Sequence, residues 1–152
     1  MAVVFQKEKL NDVLFELVPM IHEHWAETDE GYTKAKLNPD WGMYQVFEQK
    51  ELLHIYTARD DGRLVGYISV VLQKGLHAKD YTYAVTDSIF LAKDHRGGTT
   101  AKTMIEFVEE KMIPIADIFN ISMKAYAPFD SLLDSMGYKL TEKIFTKEFE
   151  EN

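Results

Sequence analysis

The run from Ser88 to Lys102, Ser-Ile-Phe-Leu-Ala-Lys-Asp-His-Arg-Gly-Gly-Thr-Thr-Ala-Lys, constrains the fold more than any other part of the chain. A β-prone stretch, residues 81–91, leads into it. Ala101, Met104, Ile105, Val108 and Met112 then mark one helical face, stopped by Pro114. Residues 118–125 read as another strand. Strand, turn, helix and strand in that order predict a right-handed crossover that lays two strands parallel in one sheet. The turn also carries chemistry. The first amides of a helix lack internal partners and sit at the positive end of its dipole. Gly97 and Gly98 let backbone N–H groups approach an anion with no side chain in the way. The junction is therefore a candidate phosphate or pyrophosphate site; the alternative is a tight turn that binds nothing. Its spacing fits neither the Gly-Lys-Ser/Thr of a nucleotide-triphosphate loop nor the Gly-x-Gly-x-x-Gly of a dinucleotide site.

The rest of the chain places this unit in a larger sheet. Residues 2–6 read as a short first strand. Leu10, Val13, Leu14, Leu17 and Ile21 follow at helical spacing, with Pro19 inside the pattern. That proline predicts a kink near Val18 or two short helices. Residues 27–36 read as a loop. Asn38-Pro39-Asp40 then opens a helix running to about Gln49, with Asn38 as its cap. Residues 52–58 and 64–73 are β-prone and flank Asp60-Asp61-Gly62, the signal of an antiparallel hairpin. Residues 128–136 read as a short helix stopped by Gly137, and residues 138–149 as a final strand. The order predicts an α/β mixed sheet with helices on both faces.

Length and charge narrow the function. The 152 residues fit one domain spanning 1–152, and 46% of them are hydrophobic, enough for a core. There is no cysteine, which excludes a thiol nucleophile, a thiolate metal site and a disulfide framework. His22 and His24 flank Glu23, but residues two apart on a helix face different ways, so no metal site is expected. A formal net charge of −8 disfavours nucleic acid and mildly favours cationic partners such as amines. No apolar run approaches about 18 residues, so no membrane span is expected. The first lysines follow the apolar start, the reverse of a secretory signal, which points to a cytoplasmic protein.

At the junction the residues also resemble a known family. Arg96-Gly97-Gly98-Thr99-Thr100-Ala101 is similar to the Gln/Arg-x-x-Gly-x-Gly/Ala pyrophosphate signature of GNAT acetyltransferases, departing from it at Thr99. His24-Trp25, Pro39-Asp40, Thr57-Ala-Arg-Asp-Asp-Gly-Arg-Leu-Val-Gly-Tyr67, Leu76-His77 and Leu132-Leu-Asp-Ser-Met-Gly-Tyr138 extend the likeness, from about Val13 to Tyr138. They are arranged like small phage and bacterial GNAT proteins of undefined substrate.

The resemblance implies a mostly antiparallel central sheet and a parallel strand pair, residues 87–91 and 121–125, that splays around acetyl-coenzyme A. Main-chain groups near Ile89, Phe90 and Leu91 would pair with the pantetheine arm. The amides of Arg96, Gly97, Gly98, Thr99, Thr100 and Ala101 would hold the pyrophosphate, with charge added by Arg96 and Lys102. The reaction implied is direct attack of an amine, of a small molecule or a protein, on the thioester. A lysine-like amine with a pKa of about 10.4 is mostly protonated at pH 7, and freeing it costs roughly 4.6 kcal/mol. A general base relieves part of that cost. His24, Glu23, His77 and Asp87 are the candidates, Asp87 lying closest to the expected thioester. Each also reads as an ordinary surface or strand residue. The family's usual acid is a tyrosine at the position of Leu133, so Tyr126 or water is left to protonate the departing thiolate. Trp25, Trp41, Tyr44 and Phe47 read as acceptor-pocket or core aromatics. Thr99 and Leu133 also leave open an inactive binding module directed at a protein partner. A last strand at a sheet edge is compatible with a homodimer.

Overall fold

The computed structural model describes residues 2–126 and 128–150. Its elements in chain order are β1 (Val3–Lys7), α1 (Leu10–Thr28), α2 (Trp41–Gln49), β2 (Leu53–Asp60), β3 (Arg63–Gly75), β4 (Ala78–Leu91), a 3-10 turn (Lys93–His95), α3 (Thr100–Met112), β5 (Ile118–Asn120) and α4 (Asp130–Ser135). The sheet runs β1-β2-β3-β4-β5, antiparallel throughout except for the parallel pair β4–β5. This is the mixed sheet expected from the element order.

Local chemistry sets the joints. Asp61 and Gly62 both take positive φ, 51° and 80°, the two-residue turn whose twist matches an antiparallel hairpin. Asp40 caps α2 by accepting the Met43 N–H at 3.0 Å, so the cap is Asp40 and not Asn38. Gly137, at φ 88°, ends α4: its N–H donates to Asp134 O and the Tyr138 N–H to Leu133 O. These two bonds are those of a Schellman stop.

Three further expectations need correction. Residues 121–125 belong to no strand, because β5 ends at Asn120 and Ser122 bonds the Thr86 side chain in place of a ladder carbonyl. Pro19 does not divide α1, which is assigned as one helix from Leu10 to Thr28. The carbonyl that loses its partner belongs to Phe15, which is 94% exposed and open to water. Residues 138–149 form no strand, because none of their backbone amides beyond Tyr138 has a partner among the described residues.

The sheet separates two apolar clusters. Leu10, Val13 and Leu17 of α1 pack with Leu53, Ile55, Tyr67 and Phe90 on one side, joined by Trp41, Tyr44 and Phe47 of α2. Met104, Ile105, Val108 and Met112 of α3 pack with Tyr56, Ile68, Val70 and Leu133 on the other. Arg59 clamps β2 to the start of α1, with Glu8 at 2.9 Å and Glu16 at 2.8 Å. Among the described residues no helix is long and apolar enough to cross a membrane.

Candidate active site

The site begins with a slip in the β3–β4 register. Ser69 pairs with Ser88 but Val70 pairs with Thr86, so Asp87 is an extra residue in β4. Such a bulge breaks the ladder locally and re-aims a side chain. Here it delivers Asp87 to the α2 side, where Tyr44 OH donates to Oδ2 at 2.6 Å and Ser69 Oγ donates to the same oxygen at 3.1 Å. The Ser69 and Ser88 hydroxyls lie 2.5 Å apart. Burial, and then the bond to Asp87, push the Tyr44 phenol well above its ordinary range, so Tyr44 keeps its proton and donates it. Both donors use one carboxylate oxygen. Oδ1 of Asp87 bonds to no described group and is left to accept.

Next to it lies a second polar pair. His24 Nδ1 is 2.6 Å from Tyr67 OH, and the imidazole stacks on Phe90 with centroids 4.8 Å apart. Burial lowers the pKa of His24 below 6.5, against the pull of Asp29 and Glu27. Burial also drives the Tyr67 phenol far upward, with Tyr44, Asp87 and Glu23 adding to it. Those added influences place Tyr67 within electrostatic reach of the Asp87 group. At neutral pH the imidazole and both phenols are uncharged.

Beyond this cluster the sheet opens. Among the described residues β4 and β5 pair at three positions: Tyr83 with Ile118, Ala84 with Phe119 and Val85 with Asn120. The Ser122 N–H then donates to the Thr86 hydroxyl at 3.0 Å, a side chain in place of a ladder bond. Further along, the chain after β5 is drawn toward the α1–α2 loop. Lys124 pairs with Asp29 at 3.0 Å, and Tyr126 stacks on Tyr32 at 3.7 Å. Among the described residues, 87–91 therefore have β3 on one edge and no strand on the other. The parallel pairing thus ends before residues 87–91.

The open edge leads to the glycine corner. Gly97 takes φ 88°, and α3 starts at Thr100. The Thr103 N–H donates to Thr99 O, but the amides of residues 97–102 donate to no described group. A Cβ added at Gly97 or Gly98 would meet nothing within 4 Å, so no side chain plugs the corner. Unpaired amides at a helix start in open space suit a diphosphate. Lys102 is exposed beside them. Arg96 departs from the expectation: its amide donates to Lys93 O at 3.3 Å and is not free for the diphosphate, Nε donates to Leu91 O at 2.6 Å, NH1 pairs with Glu27 at 2.7 Å, and the guanidinium lies 5.3 Å from the Phe90 centroid. Its charge ties the corner to the last turns of α1. His95 is held between Asp60 and Asp94, both at 2.8 Å, and its bonds to the accepting carboxylates, Asp60 first and Asp94 second, raise its pKa.

The remaining candidates are scattered. His77 sits in the β3–β4 turn, at the opposite end of β4 from Leu91. Glu23 is an exposed α1 residue, and Leu133 is buried against the α3 side of the sheet. Tyr126 is 43% exposed in the loop between β5 and α4. Sequence reasoning missed Ser69, Glu27 and the role of Tyr67. Only strand register and helix length bring those three into the site.

Residues 17–118 match the Acetyltransferase (GNAT) family. No curated protein matches the sequence. Among solved structures, the chain is similar to ribosomal-protein-alanine N-acetyltransferase from Brucella melitensis biovar Abortus 2308, at 20% identity over 98% of this chain and 100% of that one, TM-score 0.71. It is similar to an aminoglycoside acetyltransferase from an uncultured soil metagenomic sample, at 16% identity over 99% and 100%, TM-score 0.72. It is also similar to a predicted acetyltransferase with acetyl-CoA from Clostridium acetobutylicum, at 13% identity over 97% and 96%, TM-score 0.69. At these identities the likeness is one of fold.

Proposed function

The chain belongs to the GNAT acetyltransferase family, and from that premise we propose that it moves an acetyl group from acetyl-coenzyme A to an amine of a small molecule or protein. One observation carries the reading: Asp87, the bulged residue of β4, presents a fixed carboxylate beside a strand edge that loses its partner after Val85. Acetyl-coenzyme A, when bound, supplies an acyl group already activated as a thioester.

The chain's own residues do the rest. Amides at 97–102 bind the diphosphate, with Lys102 adding charge, and the open edge of residues 87–91 binds the arm. Asp87 takes the proton from the substrate ammonium through Oδ1, directly or across one water, which frees the amine to attack, while Tyr44 and Ser69 hold Oδ2 still. A main-chain N–H on the free edge of β4 stabilises the charge that builds on the acyl oxygen. Tyr126 returns a proton to the departing sulfur. His24, neutral and hydrogen-bonded to Tyr67, shapes the acceptor side and is the second candidate base.

The test is release of free coenzyme A over a panel of amines, with wild type beside Asp87→Asn. The variant should lose about 10²–10³-fold in kcat and keep the rise in Tm that acetyl-coenzyme A gives the wild type. Absence of both turnover and a melting shift at millimolar coenzyme would overturn the reading.

A further inference from the structure

One titratable side chain beside the glycine corner has no place in the acetyl transfer itself. His95 ends the 3-10 turn between β4 and Gly97, and its ring is 13% exposed. Nε2 lies 2.8 Å from Asp60 Oδ2, and Nδ1 lies 2.8 Å from Asp94 Oδ1. A neutral imidazole has one N–H and one lone pair, so it satisfies one of these carboxylates and turns its lone pair on the other. Only the imidazolium, which donates from both nitrogens, makes both bonds at once. The charged groups that face the ring are Asp60 from β2 and Asp94 from its own turn, with Arg63 of β3 behind Asp94 at 3.7 Å. The bonds to Asp60 and then Asp94 hold the His95 pKa above 6.5, and the bond to His95 is the main cause that lowers Asp94.

The two carboxylates are not equivalent. The Asp94 side chain is 67% exposed, so water readily replaces the imidazole there. Asp60 is held in register between Val3 of β1 and Arg63 of β3, and its Oδ1 is buried with no partner among the described residues. A carboxylate placed so depends on the donor at Oδ2. When His95 loses a proton, the N–H that remains therefore stays on Asp60, and the bond to Asp94 opens. The glycine corner lies just beyond. Its amides from Gly97 to Lys102 donate to no described group, so the corner takes its shape from its two ends. Thr103 N–H and Thr99 O hold the α3 end. At the other end Arg96 ties the turn to Leu91 and Glu27, and His95 ties it to the end of β2. A turn that loses the Asp94 bond leaves the amides less ordered, and ordering them again weakens the binding of an anion.

We propose that His95, gripped as an imidazolium by Asp60 and Asp94, is a positioning residue for coenzyme binding: it aligns the amides of the glycine corner, and affinity for the coenzyme falls as that proton is lost. The inference rests on the corner being the diphosphate site. The imidazolium is complete at acid pH and disappears as pH rises through the raised pKa of His95, so affinity falls in the same direction. The coupling is reciprocal, and bound coenzyme raises the His95 pKa further.

Desulfo-coenzyme A is the probe, because it carries the diphosphate and has no thiol to titrate. Calorimetry should give His95→Asn a Kd about tenfold above that of wild type at pH 6, and the ratio should narrow toward one at pH 9. A ratio taken at each pH cancels the titration of the probe itself. Asp94→Asn, at an exposed carboxylate, is the second variant should His95→Asn not fold. It removes one side of the grip, so its Kd should begin to rise at a lower pH than that of wild type. By NMR the His95 ring should titrate above 6.5, and saturation with the probe should raise its pKa by about 1, the same tenfold read from the other side. A Kd ratio equal at pH 6 and pH 9 overturns the proposal and leaves the diphosphate site standing, and so does a ring pKa that the probe does not move. A wild type that binds the probe at no pH overturns both.

Discussion

His24 Nδ1 and Tyr67 OH are 2.6 Å apart across 43 residues of sequence, and this bond fixes the end of α1 over the centre of β3. Burial holds the imidazole pKa below 6.5. The folded state therefore binds this proton more weakly than the unfolded state does. The contribution of His24 to stability is complete above the unfolded pKa of about 6.5 and falls away as pH drops through the folded value. Wild type should lose more Tm between pH 7.5 and 5.5 than His24→Gln, and the imidazole should titrate below 6.5 by NMR. A His24 resonance titrating above 6.5 would contradict the burial argument.

The glycine corner separates backbone need from ligand room. Gly97 sits at φ 88°, so Gly97→Ala should cost roughly 1–2 kcal/mol of stability through strain alone. Gly98 has no such φ, and a Cβ there meets nothing within 4 Å. Gly98→Val should leave the free protein within about 0.5 kcal/mol of wild type. Its branched side chain should nonetheless stand over the amides that face the diphosphate. Acetyl-coenzyme A affinity should fall at least tenfold, about 1.4 kcal/mol, read as a smaller ligand-induced rise in Tm. An undiminished rise in Gly98→Val would move the diphosphate elsewhere.

How far the sequence discloses this site follows from the range of each signal. The crossover around residues 88–102 is legible because helix periodicity, paired glycines and Pro114 are all local. The hairpin at Asp61-Gly62 is legible for the same reason. Asn38 and Asp40 are both good caps two residues apart, and only the position of the Met43 N–H chooses Asp40. Asp87 reads as a strand residue, but its aim depends on which residue of β3 the ladder skips. Arg96 reads as a phosphate ligand. Its guanidinium finds Glu27 because α1 continues to Thr28, past the point where the sequence turns polar. Residues 138–149 carry a strand's composition, yet a strand exists only with a neighbour, and composition does not reveal whether one is in reach.

Arg59 offers a test of the frame rather than the site. Its guanidinium bonds both oxygens of Glu8, both of Glu16 and the Gly62 carbonyl. Burial alone would raise Glu8, but bonds from Arg59 and Thr57 outweigh it and leave its pKa lowered. The bond from Arg59 is the main cause of the fall in Glu16. Arg59→Ala should cost about 2–3 kcal/mol at pH 7 by urea unfolding, less than a fully buried pair because Glu16 is half exposed. Both folded carboxyl pKa values are lowered, so this stability is present above about pH 4.5 and lost as pH falls through the folded values. The gap between wild type and variant should narrow by pH 3. A gap independent of pH would mean that Arg59 acts through packing alone.

Tyr126 is the residue whose role is easiest to isolate, because its ring and its hydroxyl do different things. The ring stacks on Tyr32 with centroids 3.7 Å apart and planes within 6°, joining the loop after β5 to the loop after α1. Phenylalanine keeps that stack and removes only the oxygen. Tyr126→Phe should therefore fold and bind acetyl-coenzyme A as wild type does. Tyr126→Ala removes the stack as well and should raise KM by loosening the acceptor side. As the proton donor to the departing sulfur, the hydroxyl should matter to kcat. Turnover of Tyr126→Phe should fall about tenfold or more. A water replacing the tyrosine as donor would leave kcat unchanged in Tyr126→Phe, while Tyr126→Ala would still show the KM effect.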